Sequence, residues 1–135
     1  MNQEEIKKIL PHRAPMLLVE EAQLLEDGTA VGTYTVKGDE FFLQGHFPGN
    51  PIVPGVIQLE MMAQTCVVLL AGEEARQPLY TGLNKVRFKG KVVPGDTLRF
   101  ECRIIKSKKP FYFAEGKGYV GETLCVQGEF SFALV

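Results

Sequence analysis

From Gly55 to Ala71 the chain reads GVIQLEMMAQTCVVLLA, apolar on nearly every side, with Gln58, Glu60, Gln64 and Thr65 as its polar side chains. A helix with so wide an apolar surface has to be enclosed, not laid against one neighbour. At 1.5 Å per residue it is about 26 Å long. That is short for a membrane span, and a bare carboxylate near its middle argues against one. The segment is therefore expected to be the core helix of a globular domain. What encloses it is written after Pro78. Leu98, Phe100, Cys102 and Ile104 alternate with Arg99, Glu101 and Arg103; Leu124, Val126, Phe130 and Phe132 alternate with Cys125, Gln127, Glu129 and Ser131. A period of two marks half-buried strands of an antiparallel sheet, and Pro94-Gly95-Asp96 and Val120-Gly121-Glu122 supply turns.

The first half is read the same way. Gln3–Leu10 forms a short amphipathic helix stopped by Pro11. Met16–Leu25 and Thr29–Lys37 read as strands about the turn Glu26-Asp27-Gly28. Residues 44–55, with Pro48, Pro51 and Pro54, cannot hold a regular element. The expected order is helix, two strands, one long buried helix, then four strands. One sheet wrapped around one apolar helix satisfies both burial patterns, giving a two-layer α+β architecture in a single domain over 1–135. Such a sheet leaves its edges open, which predicts self-association through strands.

Composition narrows the function. With 45% apolar and 23% charged residues the chain is globular, not disordered. Fifteen Lys and Arg against sixteen Asp and Glu leave a net charge of −1, so no basic field exists to hold a nucleic-acid backbone. The start, MNQEEIKKIL, is charged and lacks the apolar run of a signal peptide, so a cytoplasmic protein is expected, away from any membrane. Cys66, Cys102 and Cys125 have no CxxC spacing and accompany two histidines, which predicts buried reduced thiols and no metal site.

The chemistry concentrates in Gly45–Glu60. His46, able to exchange a proton near neutral pH, sits on a stiff Pro/Gly loop. The loop opens at Pro54-Gly55 directly into the apolar helix. The first N–H groups of a helix lack internal partners, and the dipole there is positive. An amide at Gly55 or Val56 can thus bond a carbonyl oxygen that gains negative charge, and Gly55 allows close approach. Glu60 is the lone charge of the helix, so it must find a partner or have its pKa raised. Gln64, one turn on, can supply a hydrogen bond.

GHFPGNPIVPGVIQLEMMAQ resembles the signature of the 3-hydroxyacyl-[acyl-carrier-protein] dehydratases, roughly GHFPG-x-P-x-x-PGV-x-x-x-E-x-x-AQ, met here by His46, Pro48, Gly49, Pro51, Pro54, Gly55, Val56, Glu60, Ala63 and Gln64. Leu10-Pro11-His12-Arg13-Ala14-Pro15-Met16-Leu17-Leu18-Val19 is similar to that family's N-terminal motif. Lys85-Val86-Arg87-Phe88 followed by Val92-Val93-Pro94-Gly95-Asp96 is a third match. The resemblance implies the hot-dog fold and a homodimer with joined sheets, often a trimer of dimers. It implies an active site at the dimer interface, His46 from one subunit and Glu60 from the other, with an apolar tunnel for the acyl chain. The partner it implies is an acyl carrier protein, whose phosphopantetheine arm delivers the thioester, and the reaction it implies uses no cofactor. Gly55 and Val56 take the oxyanion, while Phe47 and Gln64 belong to the substrate site. His12 and Arg13 are read as hydrogen-bonded anchors of the N-terminal loop. A basic cluster, Lys89, Lys91, Lys106, Lys108 and Lys109, is a solvated face or a landing place for an acidic carrier protein.

Three rivals remain. The dual-function relative that also makes cis-3-enoyl chains usually has Asp at Glu60 and Cys at Val56; this chain has neither. A thioesterase would need a positioned water in place of the GHFPG loop. A non-catalytic acyl-thioester binder should lack the His and Glu. Ala14, Met16, Gln58, Met61 and the short link Gly72–Leu79 depart from the family pattern and bear on chain-length preference.

Overall fold

The apolar segment is α-helical over thirteen residues, Gly55–Val67 (α2), and tightens to a 3-10 turn at Val68–Leu70. The structure, a computed structural model, describes residues 1–72 and 76–135. Of the link Gly72–Leu79, residues 73–75 lie outside the described residues. Around α2 run a short helix, Gln3–Ile6 (α1), and six strands: Glu21–Leu24 (β1), Ala30–Thr35 (β2), Pro78–Phe88 (β3), Thr97–Lys108 (β4), Phe111–Val120 (β5) and Thr123–Leu134 (β6). The sheet order is β1-β2-β4-β5-β6-β3, and every pairing is antiparallel. This is the expected wrapped sheet, the hot-dog arrangement, with the element order read from the sequence.

The sheet closes on α2 through its inward-facing residues. Met61, Met62 and Cys66 are fully buried against Phe100, Cys102, Ala114, Val126 and Phe132. Gly116 on β5 leaves room for Met62, since a Cβ there would stand 2.8 Å from its sulfur. A close-packed interior has no slack for that atom.

Three local expectations change. The first strand is only Glu21–Leu24, not Met16–Leu25. The backbone at Met16–Leu18 bonds a side chain instead of a strand: Leu18 N donates to Gln64 Oε1 at 2.9 Å, and Met16 O accepts from Gln64 Nε2 at 2.8 Å. Leu17, Leu18 and Val19 are then buried in succession, which no alternating strand allows. The amino-terminal helix is one turn, Gln3–Ile6, held by an Asn2/Glu5 capping box. The alternation along β6 breaks where the register slips between Gly118 and Tyr119, so that Cys125, the buried thiol expected, and its neighbour Val126 both face inward. Finally, β3 buries little of itself. It pairs only with β6, its register shifts twice, and Leu79, Leu83 and Phe88 stand exposed along it. That is the open edge the topology predicted.

Candidate active site

His46 is held by the backbone of its own loop. Its N–H donates to Leu43 O at 3.1 Å, and its carbonyl accepts from Ile52 N at 2.9 Å. Phe47 and Asn50 exchange backbone bonds at 3.0 and 2.8 Å, and Val53 N donates to Val92 O at 2.8 Å. Upstream, Glu40 fastens the approach by accepting from Lys37 N, Gly38 N and the Tyr34 hydroxyl. Those bonds outweigh the burial that would raise its pKa and leave it lowered. His46 Nδ1 lies 2.8 Å from Ile52 O. A carbonyl only accepts, so the ring hydrogen sits on Nδ1 and Nε2 keeps its lone pair. Phe47 stacks on this ring, centroids 4.1 Å apart, and is half-exposed.

The N-terminus of α2 opens beside it. Pro54 gives no side-chain cap, and Ile57 N and Gln58 N turn back to Pro54 O. The amides of Gly55 and Val56 have no backbone acceptor among the described residues. His46, Gly55, Val56, Gln58 and Phe88 line one groove of about 660 Å³, with Lys89 and Lys91 on its wall. Phe88 packs against Gly55; a Cβ there would come within 2.6 Å of its ring. A proton acceptor and two unpaired donors therefore share one open space. This arrangement can polarise a carbonyl and take a proton from the carbon next to it.

Glu60 lies in a different place. It shares a cavity of about 40 Å³ with His12, Gln64, Tyr80 and Phe132, which has no lining residue in common with the His46 groove. Gln64 Nε2 donates to Glu60 Oε2 at 2.9 Å, and His12 Nε2 stands 3.4 Å from the same oxygen. Burial pushes the Glu60 carboxyl up, but His12 and Gln64 beside it more than offset that and leave its pKa lowered. The lone charge of the helix has found partners. The Gln64 amide spends both its hydrogens on Met16 O and Glu60, so it clamps the site's frame and has no donor left for a substrate.

The lowered pKa predicts a stability effect. A carboxyl depressed on folding contributes stability that is fully present above its unfolded value and is lost as pH falls through the folded one. Acid melts of the wild type should therefore lose stability through and below the usual carboxylate range, and Glu60→Gln should lose less over the same interval. Equal slopes would contradict it.

His12 is the residue that sequence reading underrated. Arg13 is an anchor as expected, donating to Leu10 O, His12 O and Lys7 O. His12 instead reaches Glu60. The available signal was a buried carboxylate in need of a donor in a chain with two histidines. Gln58, where the family pattern is aliphatic, is 3% exposed and donates a long bond of 3.5 Å to Val53 O. Lys106 packs over the Phe113 ring, away from the groove. Among the described residues no cluster of His, Cys, Asp and Glu is placed to hold a metal, and no helix is long and apolar enough to cross a membrane.

The profile of the FabA-like domain matches residues 10–129, and the chain belongs to that family. Within it, the chain is 48% identical to "3-hydroxyacyl-[acyl-carrier-protein] dehydratase FabZ" of Clostridium beijerinckii over 99% of both chains. It is 46% identical to the protein of the same name from Clostridioides difficile, over 100% of this chain and 98% of that one. Among solved structures, the dehydratase heterocomplex ApeI:P from Xenorhabdus doucetiae superposes with a TM-score of 0.83 at 25% identity, covering 96% of this chain and 90% of that one. The E. coli PaaI protein shares the fold at a TM-score of 0.65 and 14% identity, covering 84% and 81%.

Proposed function

We propose that this chain is a 3-hydroxyacyl-[acyl-carrier-protein] dehydratase of fatty acid biosynthesis, converting (3R)-3-hydroxyacyl thioesters to trans-2-enoyl thioesters. The observation that carries the reading is His46, with Nε2 free, opening on the same groove as the unpaired amides at the α2 N-terminus. The thioester oxygen binds the Gly55 or Val56 N–H, which stabilises enolate character. His46 Nε2 takes the proton from C2. The electron pair of that bond forms C2=C3, the C3–O bond breaks, and the hydroxyl leaves as water on gaining a proton.

The site is completed by a second copy, His46 of one protomer meeting Glu60 of the other. The two cavities of one chain share no lining residue, and the exposed edge of β3 with its apolar side chains offers a surface for the joining. Val56, 71% exposed beside the groove, would be covered there. The acyl chain arrives on the phosphopantetheine arm of a carrier protein, with Lys89 and Lys91 beside the groove to meet acidic groups. The protein works in the cytoplasm.

Incubation with a 3-hydroxyacyl thioester tests this directly. The expected result is growth of enoyl absorbance with no free thiol. Thiol release would make the protein a thioesterase, tight binding without turnover a binder, and accumulation of a cis-3 product the dual-function relative. Sedimentation should give a dimer or a multiple of one.

A further inference from the structure

Two buried side-chain polar atoms have no hydrogen-bond partner among the described residues, Gln58 Oε1 and His12 Nδ1. Each belongs to one half of the site. The His12 atom carries the argument further, because the other nitrogen of the same ring faces Glu60.

The loop bearing His12 is fastened on both sides. Arg13 ties it to Lys7, Leu10 and His12 carbonyls, and Gln64 ties Met16 and Leu18 to α2. His12 therefore does not drift to its place; the frame sets it 3.4 Å from Glu60 Oε2. Gln64 donates to that same oxygen. Both neighbours engage Oε2, and neither uses Oε1. The tautomer follows. With Nδ1 buried and unpartnered, a hydrogen there would be a donor with nothing to accept it. The ring's hydrogen belongs on Nε2, toward the carboxylate.

We infer that His12 is a positioning residue of the dehydration site, holding Glu60 as a carboxylate whose Oε1 accepts the hydrogen of the substrate's 3-hydroxyl. The inference rests on the dehydratase reading above. It assigns both proton movements to His46: Nε2 takes the C2 proton and returns it to the hydroxyl oxygen as C3–O breaks. The departing water keeps its other hydrogen on Glu60 Oε1, and the enzyme ends as it began. The lowered pKa of Glu60 agrees with a group that works ionised. Among the described residues the titratable groups facing it are His12 from the N-terminal loop and Tyr80 from β3, whose hydroxyl is tied to Leu59 O; in the dimer proposed above, His46 of the second protomer would join them.

The test is the pH dependence of turnover in His12→Leu and His12→Gln, with thermal melts alongside. In His12→Leu, kcat should fall about 10- to 100-fold with KM within about twofold, a transition-state loss of the size expected for a misplaced group. The acidic limb of kcat/KM should move to higher pH, because Glu60 without His12 beside it takes up a proton more readily. His12→Gln keeps an amide N–H near the same oxygen and should recover most of the rate and the original limb. Should His12→Leu not fold, His12→Asn, too short to reach Glu60, carries the same expectation. Unchanged rate and profile would overturn the inference. So would a faster enzyme at neutral pH or a displaced alkaline limb, either of which would mean that Glu60 works protonated. A wild type that makes no enoyl product would instead overturn the dehydratase reading itself.

Discussion

Replacing His46 with Ala should slow enoyl formation by about 10² to 10⁴-fold, the usual worth of a general acid–base group, with little change in fold. The ring is held by one bond from Nδ1 to Ile52 O and by stacking on the half-exposed Phe47, so its loss leaves no hole in the core. The loop keeps its own backbone bonds from Leu43 to Val92. Melting should therefore move little while turnover collapses. Mixing makes the test sharper. Glu60→Gln should also slow the reaction, and co-expressed with His46→Ala it should restore activity. A mixed dimer of the two has one site with both changes and one fully native site. Random pairing then returns about a quarter of the native sites. No recovery would mean that His46 and Glu60 do not act across a protomer boundary. Full activity of His46→Ala alone would remove the base from the mechanism.

The core of the fold was legible because it rests on periodicity. The seventeen residues from Gly55 to Ala71, apolar on nearly every side, had to be enclosed, and the alternation about Phe100 and Phe132 showed by what. The failures share one cause: a tertiary partner replaced the local one. Met16–Leu18 looks like a strand, but its backbone groups are spent on Gln64, some fifty residues away, and no local pattern announces that. The alternation read about Cys125 assumes an unbroken register, and the slip at Gly118/Tyr119 breaks it, so that Cys125, a buried thiol as expected, lies beside an equally buried Val126. The site divides in the same manner. The His46 loop and the α2 N-terminus are adjacent in sequence, so the groove they form could be read from it. The Glu60 pocket joins residue 12 to residue 60 and to Tyr80, and only folding brings these together. The carboxylate's need for a partner was visible, and Gln64 meets it as expected; that His12 is the second partner was not.

Gly55 tests whether the helix amides do the oxyanion chemistry. A Cβ at this position would meet Phe88 Cε1 at 2.6 Å and Cζ at 2.9 Å. The helix itself would accept Ala, the best helix former. The obstruction is a ring 53% exposed, and such a ring can swing away at little cost to stability. Gly55→Ala should therefore fold and melt close to wild type. In the groove, however, the new methyl and the displaced ring both crowd the space in front of the Gly55 and Val56 N–H groups. Taking an oxyanion donor out of reach costs about 10²–10³-fold in kcat, and a loss toward the lower end is expected, since the amides remain and only the approach is narrowed. Phe88→Ala in the Gly55→Ala background separates the two obstructions. If the displaced ring is the greater one, the double variant should turn over faster than Gly55→Ala alone, a coupling that residues in contact show and distant ones do not. Gly55→Ala at wild-type kcat would place the thioester oxygen elsewhere, and the positive end of α2 would have no part in the reaction.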